Sequence, residues 1–123
     1  MIITGAFLAE AAAAADNKLH VWGGVLSHFF VGPDRFMQCS LVVLLQHGGD
    51  DSDRVIIFEL IPPNGEEPLR IPLDLPESAF GGEIAFALYP IGISMPFDGR
   101  WVSVVSIGDP RISLPIIVQP MAQ

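Results

Sequence analysis

AEAAAAADNKLHVWGG, residues 9 to 24, decides how the N-terminal part of the chain is read. Five consecutive alanines run into Asp16-Asn17-Lys18, and an alternating segment then closes on Gly23-Gly24. The stretch can be a leader, a helix or part of a β-framework. A secretory leader has a basic start, an apolar stretch of about 7–15 residues and a small-residue cleavage site. Ala13-Ala14-Ala15 supplies the last of these, but the first basic residue is Lys18 and Glu10 interrupts the apolar stretch. A leader is therefore not expected. Alanine has the highest helix propensity, so residues 9–15 are expected to form a turn or two of helix behind an opening strand at residues 1–8. Asp16-Asn17 then turns the chain, because both residues tolerate left-handed backbone and bond their own main chain. Residues 18–22 leave as a second strand, with Leu19 and Val21 on one face and His20 and Trp22 on the other.

The remaining chain repeats strand and turn. Gly23-Gly24 suggests a bulge or close backbone approach, after which residues 25–31 resume the second strand. Further strands are expected at residues 36–46, 54–61, 69–73, 83–89, 101–107 and 112–118. Gly32-Pro33-Asp34, Asn64-Gly65, Asp98-Gly99 and Gly108-Asp109-Pro110 mark turns between them. Asn-Gly between two apolar runs is a hairpin signal, and Pro68 and Pro72 place the strand at residues 69–73 on a sheet edge. The 12 glycines and 11 prolines spaced in this way leave no room for long helices. Many short strands with turns between them imply one all-β sandwich domain.

Composition narrows the function classes. The chain's 123 residues suffice for one core without disulfides or metal. Lysine and arginine number 6 against 14 acids, a net charge of −8, which repels nucleic acid and anionic membrane. Hydrophobic residues make up 50 % of the chain and charged ones 16 %, where about 25 % charged is usual. No apolar run approaches the roughly 18 residues of a membrane span. Cys39 stands alone, so no internal disulfide argues for an oxidising compartment, and a cytoplasmic protein is expected. Within MQCSLVVLL the cysteine reads as a small buried hydrophobe.

The apolar surplus points to interfaces. A sandwich strand alternates between core and water, but Leu41-Val42-Val43-Leu44-Leu45, Val55-Ile56-Ile57-Phe58 and Ile116-Ile117-Val118 are apolar on both faces. With almost no helix to cover the outer faces, a second copy or a larger protein complex is expected to do so. The adjacent Phe29 and Phe30 cannot both face the core. Phe29, Phe30, Trp22, Val43 and Ile57 are the expected interface residues, while Trp101 is expected in the core.

PFDGRWVSVVSIGDPRISLPIIV, residues 96–118, resembles the closing strands of immunoglobulin-like sandwiches, in which Asp-x-Gly-x-Tyr opens the next-to-last strand. Here the match is Asp98-Gly99-x-Trp101, with tryptophan in place of tyrosine. ADNKLHVWGG together with the hairpin VIIFELIPPNGEEPLRI is similar to a bacterial family of small proteins carrying a domain of unknown function. The resemblance implies an immunoglobulin-like sandwich of about seven or eight strands, here with the short helical turn near the N-terminus. It implies no activity.

Reactive chemistry is sparse. Asp50, Asp51 and Asp53 form an acidic loop able to offer oxygens to Ca²⁺, without the spacing or glycine of an EF-hand. His20, His28 and His47 lie on separate segments without zinc-site spacing. Gly92-Ile93-Ser94-Met95-Pro96 lacks the second glycine of a nucleophile elbow. Ser27 and His28, as strand neighbours, are expected on opposite faces and so not to pair. Glu66-Glu67 reads as solubilising. Neither enzyme activity nor a cofactor is expected. The reading is a structural or interaction protein, with a phage or viral structural protein as one alternative and a module binding a cation at residues 50–53 as another.

Overall fold

In the computed structural model, which describes residues 1–47, 54–80, 82–108 and 111–121, Asp16 and Asn17 both take left-handed backbone, with φ of 53° and 60°. Two successive left-handed residues make the tight turn whose twist matches antiparallel strands. Ala15 pairs directly with Lys18 across it. The expected helix at residues 9–15 is therefore not formed. The alanines are the second half of a 14-residue strand, β1 (Ile2–Ala15), which pairs with β2 (Lys18–Gly24). A helix of seven residues closes too few internal bonds to stand alone, whereas the strand bonds both β2 and, through residues 2–9, a core strand.

Seven further strands follow among the described residues. They are β3 (His28–Val31), β4 (Phe36–Gln46), β5 (Val55–Ile61), β6 (Leu69–Asp74), β7 (Ile84–Ser94), β8 (Gly99–Ser106) and β9 (Arg111–Pro120). A 3-10 turn at Glu77–Phe80 is the helical element described. The strands form a four-stranded sheet, β2-β1-β4-β7, and a five-stranded sheet, β3-β9-β8-β5-β6. β6 is an edge strand, as Pro72 requires.

One connection departs from the sequence reading. Residues 25–31 do not resume β2: the chain leaves the first sheet at Gly24 and joins the second as β3, parallel to β9. Gly23 sits at φ +64°, and a Cβ on Gly24 would meet Val21 Cγ1 at 2.9 Å. The corner therefore needs the close approach that glycine allows.

Alternate side chains of β4, Met37, Cys39, Leu41, Val43 and Leu45, point inward to the core. Opposite them lie Ile56, Phe58 and Leu60 of β5, Val105 of β8, and Ile116 and Val118 of β9. Trp101 is buried among them, and its indole N–H donates a 2.9 Å hydrogen bond to the Phe97 carbonyl. That bond ties β8 to its own corner four residues upstream. The ring nitrogen of His47 donates to the Ala79 carbonyl and fastens the 3-10 turn to the end of β4.

Candidate interaction surface

Directly paired residues share a face of a sheet, so the strand registers assign both outer faces. On the four-stranded sheet, Phe7, Val42 and Leu88 form one outward row and Gly5, Leu44 and Phe86 the next. The extra residue Thr4, at the irregularity between Ile3 and Gly5, shifts the alternation and turns Phe7 outward. Ala9 and Val42 are fully buried yet lie outside the core cluster between the sheets. A second apolar layer thus forms on the back of this sheet.

Around that row stand Ile84, 82 % exposed, and Trp22 and Phe36, 56 % and 41 % exposed. The Phe36 ring extends over Gly92, where a Cβ would meet it at 3.0 Å. The polar members of the face, Gln38, Ser40, Gln46 and Ser94, are uncharged. β4 and β7 contain no charged residue; among the described residues the charged side chains of this sheet are Glu10 and Lys18, both on the β1–β2 hairpin, and Lys18, opposite Ala15, shares the outer face with Trp22.

The other outer face is different in kind. Glu59 and Arg70 are cross-strand neighbours on β5 and β6. With Ile57, Val104, Ser106 and Arg111 they line a small hollow of about 40 Å³. Asp74 and Arg100 add further charge to the strands of this sheet. It has the mixed polar surface of a sheet facing water.

Among the described residues, the β1–β2 hairpin beyond residue 9 pairs with no other strand. Ala14, Asp16 and Asn17 at its tip line an open cleft of about 510 Å³ with Gly82, Ile84, Ala85 and Phe86. Because β4 separates β1 from β7 in the sheet, the hairpin curls toward β7 across the apolar face. His20 and Trp22 stack along it with ring centroids 6.4 Å apart.

The expected interface residues separate accordingly. Trp22 borders the apolar face. Phe30 is 54 % exposed on β3, while its neighbour Phe29 packs against the core, as strand alternation requires. Ile57 is half-buried on the charged face. Val43 is not a surface residue: it is fully buried between Ala6 and Ala87 on the inner face, because its position in β4 has the core parity. Sequence reasoning missed Phe7, Leu88 and Ile84. Leu88 and Ile84 were legible as outward positions of an uncharged strand, whereas Phe7 depends on the register shift at Thr4.

At one end of the sandwich Arg35, at φ 56°, donates from Nε to the Met95 carbonyl at 3.0 Å and meets Asp98 at 2.8 Å. With Pro63, Asn64, Pro96 and Phe97 these two residues line a cleft of about 420 Å³. The Arg35 cation is thus neutralised within the chain. Ser27 and His28 do touch, contrary to expectation, with Oγ and Nδ1 3.3 Å apart. Ser27 precedes β3, so strand alternation does not separate them, and the pair is exposed. Burial pushes the Cys39 thiol up to about 11, which disfavours the thiolate a nucleophile needs. Among the described residues no three His, Cys, Asp or Glu side chains gather to hold a metal. Asp50, Asp51 and Asp53 lie outside the described residues. No helix among the described residues is long and apolar enough to cross a membrane. No family model, curated protein or solved structure matches the chain.

Proposed function

We propose that the chain is a non-enzymatic structural or interaction protein that works by assembly, with itself or on a larger protein complex. The contact surface is the outer face of the four-stranded sheet. The observation that carries this reading is the contrast between the two outer faces. One bears Glu59, Arg70 and Arg111, whereas on the other β4 and β7 carry no charged residue and Trp22, Phe36 and Ile84 are exposed, with Lys18 the charged side chain on its hairpin margin. An apolar centre with a polar rim is the anatomy of a protein interface, and large exposed apolar patches mark interaction sites. The proposal includes a cytoplasmic setting, since Cys39 is the only cysteine. It also retains kinship with immunoglobulin-like sandwiches, supported by the Trp101–Phe97 bond at the corner where that fold places a bonded tyrosine.

The test is the native mass of the protein drawn gently from its source, with identification of whatever co-migrates. An assembly well above the 13.3 kDa chain is expected, composed of copies or of copies with a named protein. A lone chain at every concentration, with nothing co-migrating, overturns the reading.

A further inference from the structure

We infer that the cleft under the β5–β6 turn takes an arginine side chain of a partner protein, with its guanidinium at Glu66 and Glu67 and its stem along Phe97. The inference deepens the interaction reading by naming the chemistry of a partner, and it makes no use of the outer face of the four-stranded sheet.

Two corners of the chain build this cleft. β5 ends at Ile61, and Pro62-Pro63-Asn64-Gly65 turns the chain toward β6. The Asn64 side-chain oxygen accepts from the Glu66 N–H at 3.2 Å, which fixes where Glu66-Glu67 leaves the turn. The other corner joins β7 to β8. There Trp101 bonds the Phe97 carbonyl, and the two rings stack with centroids 6.5 Å apart. Between the corners Leu60, Ile93 and Trp101, all buried, form an apolar floor. Leu69 and Phe97 are exposed at the mouth beside Glu66 and Glu67.

Volume and charge select the occupant. The cleft holds about 170 Å³, below the roughly 300–1,000 Å³ of small-molecule sites, so it admits one side chain rather than a whole ligand. Its mouth carries two carboxylates, and none of the chain's 6 lysine and arginine residues lines it. Arg35 is held by Asp98, Arg54 lies over the Phe80 ring, and Arg70 stands opposite Glu59. The counter-charge therefore comes from outside the chain. Two carboxylates above apolar and aromatic walls match a group with an apolar stem and a cationic head. Arginine suits the cleft better than lysine. Its planar guanidinium lies on an aromatic face, meets carboxylates with paired donors and is more weakly hydrated. Arginine is also a frequent anchor of protein interfaces, and a partner presenting it is drawn by the net charge of −8.

The experiment is an NMR titration of the isotope-labelled chain with three end-blocked peptides, Gly-Arg-Gly, Gly-citrulline-Gly and Gly-Leu-Gly. The Trp101 indole N–H and the Glu66 and Glu67 amides are the reporters. Gly-Arg-Gly is expected to shift them saturably with a Kd of about 1–10 mM, as suits a single side chain. Citrulline keeps the shape of arginine without its charge and should bind about fivefold more weakly. The double variant Glu66→Gln/Glu67→Gln should lose about fivefold in affinity for Gly-Arg-Gly. Glu10→Gln/Glu83→Gln removes the same charge from the other sheet's margin and should change it by less than about twofold. Three results overturn the inference: no saturable shift at Trp101, Gly-Leu-Gly binding as tightly as Gly-Arg-Gly, or equal losses in the two double variants. None of them touches the native mass, so the assembly reading stands or falls separately.

Discussion

The phenolic hydroxyl of Tyr89 on β7 donates a 2.9 Å hydrogen bond to the backbone carbonyl of Asp74 on β6. β7 and β6 are edge strands of different sheets, so the bond joins the two layers along an open side of the sandwich. Burial, followed by the nearby Asp74 carboxylate, pushes the Tyr89 hydroxyl from 10.0 up to about 12. A group whose folded pKa is raised binds its proton more tightly when folded, so stability falls as pH rises. Tyr89's share is intact below pH 10 and is lost as pH climbs toward about 12. Cys39, raised from 9.0 to about 11, adds a loss of the same sign from a lower starting point. Tyr89→Phe is expected to lower stability by about 1 kcal/mol at neutral pH and to flatten the decline above pH 10. Urea denaturation from pH 7 to 11.5 checks both, and parallel curves for the two proteins would show that Tyr89 titrates alike folded and unfolded.

Trp101 offers a second test of a single bond. Its ring belongs to the core, and its N–H satisfies the Phe97 carbonyl at 2.9 Å. Trp101→Phe keeps an aromatic ring but removes the donor and part of the volume. A loss of about 2 kcal/mol is expected from the unpaired carbonyl together with the space left behind, read as a lower denaturation midpoint with an unchanged slope.

Arg35 combines a strained backbone with a long-range clamp. Its φ of 56° costs a Cβ-bearing residue about 1 kcal/mol. Its carbonyl accepts from the Met95 N–H at 2.7 Å while its Nε donates to the Met95 carbonyl. Arg35→Gly relieves the backbone and should prove more stable than Arg35→Ala by about 1 kcal/mol. Asp98→Asn should change stability by less than about 1 kcal/mol, because the Asp98 side chain is 53 % exposed. Equal stability of the glycine and alanine variants would show that residue 35 relaxes out of the left-handed region.

The architecture was legible where turn chemistry and strand pattern agreed. The edge position of β6, the span of β4 and the core placement of Trp101 all follow from proline, apolar runs and ring size. The failure at residues 9–15 has a specific cause. Propensity favours helix for alanine, but Asp16-Asn17 makes a two-residue turn that accepts only an antiparallel strand on each side, and the turn prevailed. The outer face of the four-stranded sheet was half legible. Apolar, uncharged strands marked it, but the register shift at Thr4 that turns Phe7 outward, and the parity that turns Val43 inward, appear only once β1 and β4 are paired.

The same alanines yield a prediction about the hairpin. Ala13 is exposed on β1 opposite His20, in a strand that alanine disfavours. Ala13→Thr introduces a β-branched side chain beside a ring and should raise stability by about 0.5 kcal/mol. Hydrogen exchange should report the gain as slower exchange of amides in β2, since among the described residues β2 pairs with β1 alone. Unchanged exchange there, with a higher global stability, would locate the effect in the unfolded chain.

Cys39 provides a probe of the whole sandwich. It lies on the inner face of β4, opposite Ile91 of β7, with its thiol raised from 9.0 to about 11. A thiol held that much more tightly to its proton carries roughly a hundredfold less thiolate near neutral pH than it does in the unfolded chain, and burial blocks the reagent as well. Alkylation should therefore proceed only through opening of the fold, at a rate that rises with denaturant along the unfolding curve. Cys39→Ser should cost about 1–3 kcal/mol, because its hydroxyl would be buried among apolar neighbours, and Cys39→Ala should cost less. A thiol that reacts at the same rate in the native and unfolded proteins would place it on an accessible face and contradict the inward parity of β4.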